Sequence, residues 1–371
     1  MRSPHGGNVW SAAERLGVRP GRIIDASASL APSPWWLPLT VSAASVRELH
    51  PYPDPTYRGF RSSLAAVHGL DPDWFLPGNG ASELFTWAAR DASCLGVSLL
   101  PQPGFADYSR ALSCWAGQTC TYCLPDDWSS SLLRRFDLSC LQTHPTKPGC
   151  LWLTNPHNPT GLLWHRRSLE DLLDEHPLVI ADEAFLPLVP GGEAHSLIPL
   201  VLDHPNLVVI RSLTKLYGAA GLRLGYAVGH PERLQRWAAW RDPWPVNALA
   251  SALAERLLGD RRGYESHCRS VQRWTQREGQ WLQSQLIGLK GLRPMPSAAN
   301  FVLLRSDGDR AGSSLQPLRL ALERHHYILL RDCSSFAGLG PGWLRLGYQS
   351  RHVHRRLLRA LRQELPTLEA A

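Results

Sequence analysis

Lys215 is one of three lysines in a chain of 371 residues that carries 36 arginines. It stands in Arg211-Ser-Leu-Thr-Lys215-Leu-Tyr-Gly-Ala-Ala-Gly-Leu-Arg223-Leu-Gly225. A guanidinium stays protonated at any physiological pH, whereas a primary amine with a lowered pKa loses its proton and attacks a carbonyl carbon. A lysine retained in so arginine-rich a chain, beside Ser, Thr and Gly, is therefore a candidate for imine formation. Two further clusters precede it. Asn155-Pro-His-Asn158-Pro-Thr-Gly161 offers a side-chain amide, and Asp182-Glu-Ala-Phe185 a carboxylate. Earlier still, Leu76-Pro-Gly-Asn-Gly80-Ala81-Ser82 leads into the helical run Glu83–Arg90. A Gly-rich turn that opens a helix presents free N–H groups and the positive dipole end to an anion.

The elements that must position these groups are most legible in the middle third. The short apolar runs Leu151–Thr154, Leu178–Ala181, Leu207–Ile210 and Leu224–Val228 read as buried strands, each delivering a polar cluster at its C-terminal end. A helical pattern over Arg167–Glu175 separates the first two. The spacing predicts an α/β domain with a mainly parallel sheet, in which ligands lie beyond the carboxyl ends of the strands. After Trp244-Pro-Val-Asn247 the pattern changes to Arg-rich amphipathic helices over 248–286. A small α/β unit follows, with strands expected at Asn300–Leu304, Ile328–Leu330 and Trp343–Leu346.

Composition excludes several classes. With 44% hydrophobic and 19% charged residues the balance is that of a globular chain with ample core. The net charge is +7, yet the densest arginine cluster, Arg351, Arg355, Arg356, Arg359 and Arg362, has the spacing of a solvated helix face. Small anionic ligands are expected, and nucleic acid is not. No apolar run approaches a membrane span and the N-terminus has no apolar leader, so a cytoplasmic location is expected. Among eight cysteines, Cys120-Thr-Tyr-Cys123 has neither a second pair nor a His at ligand spacing, which predicts free thiols and no metal.

In their order along the chain, the clusters around Asn158, Asp182, Lys215 and Arg223 resemble the fold-type I pyridoxal-phosphate enzymes of the aminotransferase class I/II superfamily. The resemblance implies a large cofactor-binding domain, residues 45–246, with a mainly parallel central sheet between helices. It also implies a smaller C-terminal α/β domain, 247–371, and an N-terminal arm, 1–44, that closes over the active site. Pyridoxal 5′-phosphate is the implied cofactor. Lys215 would form the imine and Asp182 would hold the pyridine nitrogen protonated, so that the ring accepts electrons. Asn158 would donate to the phenolic oxygen. Ser212, Arg223 and the helix start Gly80, Ala81 and Ser82 would hold the phosphate, and Phe105, in Pro103-Gly-Phe105-Ala-Asp-Tyr108, would stack on the ring. Tyr52, in His50-Pro-Tyr52-Pro-Asp-Pro, matches a tyrosine that reaches the neighbouring subunit's phosphate, implying a homodimer with shared sites.

The ends of the chain narrow the resemblance. His5-Gly-Gly-Asn8-Val-Trp, Ile24-Asp-Ala-Ser27-Ala-Ser, Pro245-Val-Asn-Ala-Leu249 and Arg331-Asp-Cys-Ser are similar to the threonine-phosphate decarboxylases of cobalamin biosynthesis, close relatives of the histidinol-phosphate aminotransferases. The resemblance implies decarboxylation of L-threonine O-3-phosphate to (R)-1-amino-2-propanol O-2-phosphate. The alternative is transamination of histidinol phosphate or an aromatic amino acid. His5 would sit near the substrate phosphate. Arg345 is suggested for the carboxylate and Arg331 for the phosphate, an assignment that can be exchanged. Departures from the pattern are Ser29 and Ala31, where the family has two asparagines, Gln349 in place of a second arginine, and Phe185 in place of a tyrosine. A regulator of aminotransferase type is disfavoured, since no helix-turn-helix flanks the domain.

Overall fold

The computed structural model describes residues 6–32, 49–124, 133–141, 148–307 and 313–367. In chain order its strands begin with β1 (Ile24–Asp25), β2 (Phe75–Asn79), β3 (Ser98–Gln102), β4 (Thr119–Cys123) and the short β5 (Leu133–Arg134). Next come β6 (Cys150–Thr154), β7 (Leu163–Trp164), β8 (Leu178–Asp182), β9 (Leu207–Ser212) and β10 (Leu224–Gly229). Seven of these form one sheet in the order β2-β10-β9-β8-β6-β3-β4, while β5 pairs with β7. The reason is visible in β8 and β9. Val179, Ala181, Leu207 and Val209 enter one apolar layer, and Leu178, Ile180, Val208 and Ile210 the other. Side chains alternate across a strand, so a sheet covered on both faces needs unbroken apolar runs.

Strands β4, β3, β6, β8 and β9 run parallel to one another, and β10 runs antiparallel to both β9 and β2. That reversal corrects the expectation that every strand delivers its polar cluster at its C-terminal end. Arg223 precedes β10, and Gly225 pairs with Ser212. The beginning of β10 therefore lies on the rim where β8 and β9 finish, which brings Arg223 to the same side of the sheet as Asp182 and Lys215. A second correction concerns the helix expected over 167–175. It spans Arg166–Glu170 and then tightens into turns, with Leu172 N–H bonding Leu169 C=O and Leu173 N–H bonding Glu170 C=O. Burial of Leu169, Leu172 and Leu173 outweighs helical continuation there.

The C-terminal unit contains β11 (Leu292–Pro294), β12 (Phe301–Ser306), β13 (Ile328–Leu329), β14 (Arg331–Asp332) and β15 (Trp343–Gly347), four of which form an antiparallel sheet in the order β11-β12-β15-β14. The helices Arg261–Leu286 and Arg351–Thr367 share its core through Leu282, Leu286, Leu357 and Leu361, which meet Val302, Leu304, Leu344 and Leu346. Arg355, Arg356, Arg359 and Arg362 point to solvent, as their spacing predicts. Arg351 instead bonds Glu278 at 2.9 Å. The N-terminal segment joins this unit, because β1 pairs in parallel with β13, Ile24 opposite Ile328. Gly347 makes room for it: a Cβ there would lie 2.4 Å from the Ala28 carbonyl oxygen. Among the described residues no helix is long and apolar enough to cross a membrane.

Candidate active site

A cavity of about 300 Å³ opens at the rim where β8 and β9 end. Its walls include Lys215, Asp182, Asn158, Phe105, Ala81, Ser82, Ser212, Arg223, Arg331 and Arg345, gathered from both domains. Lys215 lies on a single helical turn, Leu213–Leu216, directly after β9. Its Nζ stands 5.5 Å from the centre of the Phe185 ring. Burial, then the neighbouring Arg345 and Arg223 charges, push its pKa down from 10.5 to about 8. An amine so placed is deprotonated far more often than a surface lysine, as imine formation requires.

Asp182 closes β8 and is buried. Burial raises its pKa to about 6, against two donors that favour the carboxylate: the Tyr108 hydroxyl to Oδ2 at 2.5 Å and the Ala184 N–H to Oδ1 at 2.9 Å. Tyr108 also meets Thr154 Oγ1 at 2.9 Å. Neither Tyr108 nor Thr154 is singled out by sequence reasoning. The signal is the position of Tyr108 three residues beyond Phe105 at the start of the helix Ala106–Ser113, where a buried phenol must find a polar partner.

Phe105 caps that helix and meets Tyr108 edge to face at 5.6 Å. Asn158 is buried, and its Oδ1 accepts from Arg345 Nη1, which leaves its Nδ2 to donate into the cavity. Asn155, in the same cluster, is structural: its amide bonds both backbone groups of Trp164. The helix Ala81–Ser93 begins at Gly80, whose φ of 77° is left-handed, and a Cβ there would lie 2.5 Å from Arg223 Nη2. Only glycine lets the helix start and the guanidinium approach so closely. Arg223 itself adopts φ 53°, and Ser212 is buried beside it. The free N–H groups of a helix start, a hydroxyl and a guanidinium together make an anion cradle.

Arg331 and Arg345 are partners across β14 and β15, directly opposite in the antiparallel register. This pairing accounts for their 14-residue separation in sequence. Both are more than nine-tenths buried. Arg345 also reaches the Ser27 carbonyl at 3.5 Å and lies over the Phe301 ring at 4.7 Å, while Arg331 donates to Ser335 Oγ at 2.6 Å. Burial, then Arg331, lower the pKa of Arg345 to about 10. Opposed like charges destabilise a strand pair, so this arrangement calls for an anion between them.

The remaining residues named from the sequence divide differently. Tyr52 is 77% exposed and stacks on Trp244 at 4.3 Å, outside the lining of this chain's cavity. His5 lies outside the described residues, although Gly6 contributes to the cavity wall. Gln349 does not line the cavity: its amide donates to the Asp25 carbonyl at 3.2 Å and fastens β1 to the C-terminal unit. Ser29 does line it, fully buried, with a hydroxyl that has no partner among the described residues.

The model of the aminotransferase class I and II family matches residues 23–362. The chain belongs to that family. Threonine-phosphate decarboxylase of Salmonella typhimurium is 34% identical over 386 residues, covering 100% of this chain and 99% of that protein. Histidinol-phosphate aminotransferase of Symbiobacterium thermophilum is 33% identical over 342 residues, covering 91% and 88%. The crystal structure of histidinol-phosphate aminotransferase from Sinorhizobium meliloti, in complex with pyridoxal-5′-phosphate, superposes with a TM-score of 0.83 at 22% identity, covering 98% of this chain and 95% of that one. The fold is that of the fold-type I transferases, with a large mixed α/β domain and a smaller C-terminal domain.

One element of this class I and II chain has no counterpart in the sequence expectations. Arg211, fully buried one residue before Ser212, bonds Glu183 Oε2 at 2.9 Å, Glu193 Oε1 at 2.8 Å and Ser196 Oγ at 2.8 Å. Glu183 follows Asp182, so one buried guanidinium ties the end of β8 to the end of β9. A buried guanidinium bonded through all three of its nitrogens fixes the geometry of its surroundings.

Proposed function

We propose that the chain decarboxylates L-threonine O-3-phosphate with pyridoxal 5′-phosphate as cofactor, releasing (R)-1-amino-2-propanol O-2-phosphate. The donor set fits that cofactor. The cradle of Gly80, Ala81, Ser82, Ser212 and Arg223 suits a phosphate, Lys215 supplies the amine, Asp182 a carboxylate for the ring nitrogen, Asn158 an amide donor, and Phe105 an aromatic face. When bound, the group supplies an electron sink for the bond broken at the substrate's Cα.

The observation that carries the reading is the opposed pair Arg331 and Arg345 beside Lys215. An amino-acid phosphate brings a carboxylate and a phosphate, one for each guanidinium. Arg345, fixed by Asn158 and Ser27, is our choice for the carboxylate, and Arg331 for the phosphate. Holding both ends would fix which Cα bond is aligned for cleavage, and with the carboxylate so held, carbon dioxide would be the group released. Lys215 then delivers a proton to Cα, a step suited to an amine poised near pH 8. His5 is proposed near the substrate phosphate. A second copy of the chain is proposed to complete the cofactor's phosphate site through Tyr52, whose ring is displayed on the surface by Trp244.

Similarity to the Salmonella decarboxylase along the whole chain supports this reading, and similarity to the Symbiobacterium aminotransferase supports transamination with the same cofactor residues. Incubation with threonine phosphate, with and without a 2-oxo acid, separates them. Carbon dioxide release in the absence of oxo acid is expected; amino transfer that needs oxo acid and yields no gas would overturn the proposal.

A further inference from the structure

Tyr108 donates its hydroxyl to Asp182, and the reaction above leaves this side chain without a role. Its ring is 1% exposed, held by Trp152 at 5.1 Å, by the edge of Phe85 at 5.1 Å and against Phe105 at 5.6 Å. Its hydroxyl has a single hydrogen. An ionised Asp182 only accepts, so that hydrogen goes to Oδ2, and the 2.9 Å contact with Thr154 is then a bond from the threonine hydroxyl to the phenol oxygen. Thr154 is placed for this by register, since it lies directly opposite Asp182 across the parallel pair β6 and β8. The result is a directed chain, Thr154 to Tyr108 to Asp182.

We propose that Tyr108, oriented by Thr154, is a positioning residue that keeps Asp182 ionised and aimed at the cofactor's ring nitrogen. The inference rests on the pyridoxal-phosphate reading and concerns this chain's own residues. A carboxylate in a dry site takes up a proton unless donors hold its charge. Asp182 has two such donors here, and the backbone N–H of Ala184 is the weaker, because hydrogen bonds to a charged acceptor from a well-aligned hydroxyl are short and strong. A protonated Asp182 cannot stabilise a protonated ring nitrogen. The same phenol braces the ring of Phe105, so the carboxylate that would serve the ring nitrogen and the aromatic face that would stack on the ring are set by one residue.

The test uses the full chain and two readouts. The first is affinity for pyridoxal 5′-phosphate between pH 5 and 8, followed by the cofactor's absorbance. The second is the thermal midpoint of the cofactor-free protein over the same range, compared with Asp182→Asn. Tyr108→Phe keeps the ring and removes the donor. It is expected to weaken cofactor binding roughly tenfold or more at neutral pH and to shift the acid limb of the affinity profile upward. Thr154→Val should move it the same way by less. In the cofactor-free protein, Asp182 binds its proton more tightly folded than unfolded, so its contribution to stability falls as pH rises from about 4 to about 6. Tyr108→Phe should extend that fall above pH 6.

Trp152→Phe perturbs packing on the same ring without touching the hydrogen bonds. It should lower the thermal midpoint and leave both pH profiles in place. If Tyr108→Phe matches wild type in both profiles, or Trp152→Phe displaces them equally, Tyr108 is a packing residue and the inference falls. Wild-type protein that binds no pyridoxal phosphate at all would instead overturn the proposed function, and the cofactor-free midpoints would still decide the coupling of Tyr108 to Asp182.

Discussion

Replacing Arg345 by Gln should make the cofactor-free protein more stable and the enzyme far worse. Arg345 sits opposite Arg331 across β14 and β15, more than nine-tenths buried, and its pKa falls from 12.5 to about 10. At about 1.4 kcal/mol per unit, that environment disfavours the charged side chain by roughly 3 kcal/mol. The sign is clear: at pH 7 both folded and unfolded forms are charged, so the full penalty is present, and it fades only as pH rises through 10 and beyond. Against it stand the bonds to Asn158 and Ser27, of which the first is the better, offsetting about 1.5–3 kcal/mol. Gln can keep part of the Asn158 bond. A net gain of about 1 kcal/mol, a rise in thermal midpoint of roughly 1–4 °C, is expected. Loss of the carboxylate grip should lower kcat/KM roughly a hundredfold or more.

The assay is thermal unfolding of the cofactor-free protein in an anion-poor buffer, paired with steady-state kinetics on threonine phosphate. Inorganic phosphate, titrated in, should stabilise wild type more than the variant, because it neutralises the opposed pair. A lowered midpoint together with an unchanged kcat/KM would refute both the electrostatic accounting and the substrate role.

Three other substitutions probe the cofactor site. Lys215→Ala should abolish the lysine-dependent absorbance of the bound cofactor and lower turnover ~10³-fold; in wild type, the rate of cofactor incorporation should climb with pH toward about 8, where the amine loses its proton, and then level off. Phe185→Tyr returns a hydroxyl near Lys215 Nζ and should lower the pH midpoint of the cofactor's absorbance change, read by spectrophotometric titration. Gly80→Ala forces a Cβ against Arg223 at a left-handed position, costing on the order of 1–3 kcal/mol, and should weaken cofactor binding about tenfold or more in an absorbance titration.

What could be read from the residues alone divides along physical lines. Val179, Ala181, Val209 and their neighbours were legible because a strand buried on both faces leaves no polar residue in its run. Lys215, Asp182 and Asn158 followed, since they stand at the ends of such runs. The direction of β10 was not legible, because an apolar run reads the same whichever way the strand points. Arg223, expected at a phosphate, lines the cavity because β10 begins at that rim, not because a strand ends there. The truncated helix at Arg166–Glu170 shows tertiary burial of Leu172 and Leu173 overriding a local pattern. Tyr108, Thr154 and the Arg211, Glu183 and Glu193 network stayed hidden because each needs partners brought from distant strands. The face-to-face placement of Arg331 and Arg345 depends on register, which their spacing permits without dictating.

The pairing of Ile24 with Ile328 has a consequence for how the molecule is made. A ribosome delivers β1 about three hundred residues before its partner, so the N-terminal strand emerges with an unsatisfied edge and waits while the large sheet condenses behind it. Ser27, Ser29 and the arginines of β14 and β15 meet only when that long loop closes, and since contacts so distant in sequence form slowly, the arginine end of the cavity is expected to form last. The rim that carries Asp182 and Lys215 is built from strands much nearer one another in the chain. A nascent chain lacking its final strands would thus hold the lysine without the two arginines proposed to grip the substrate.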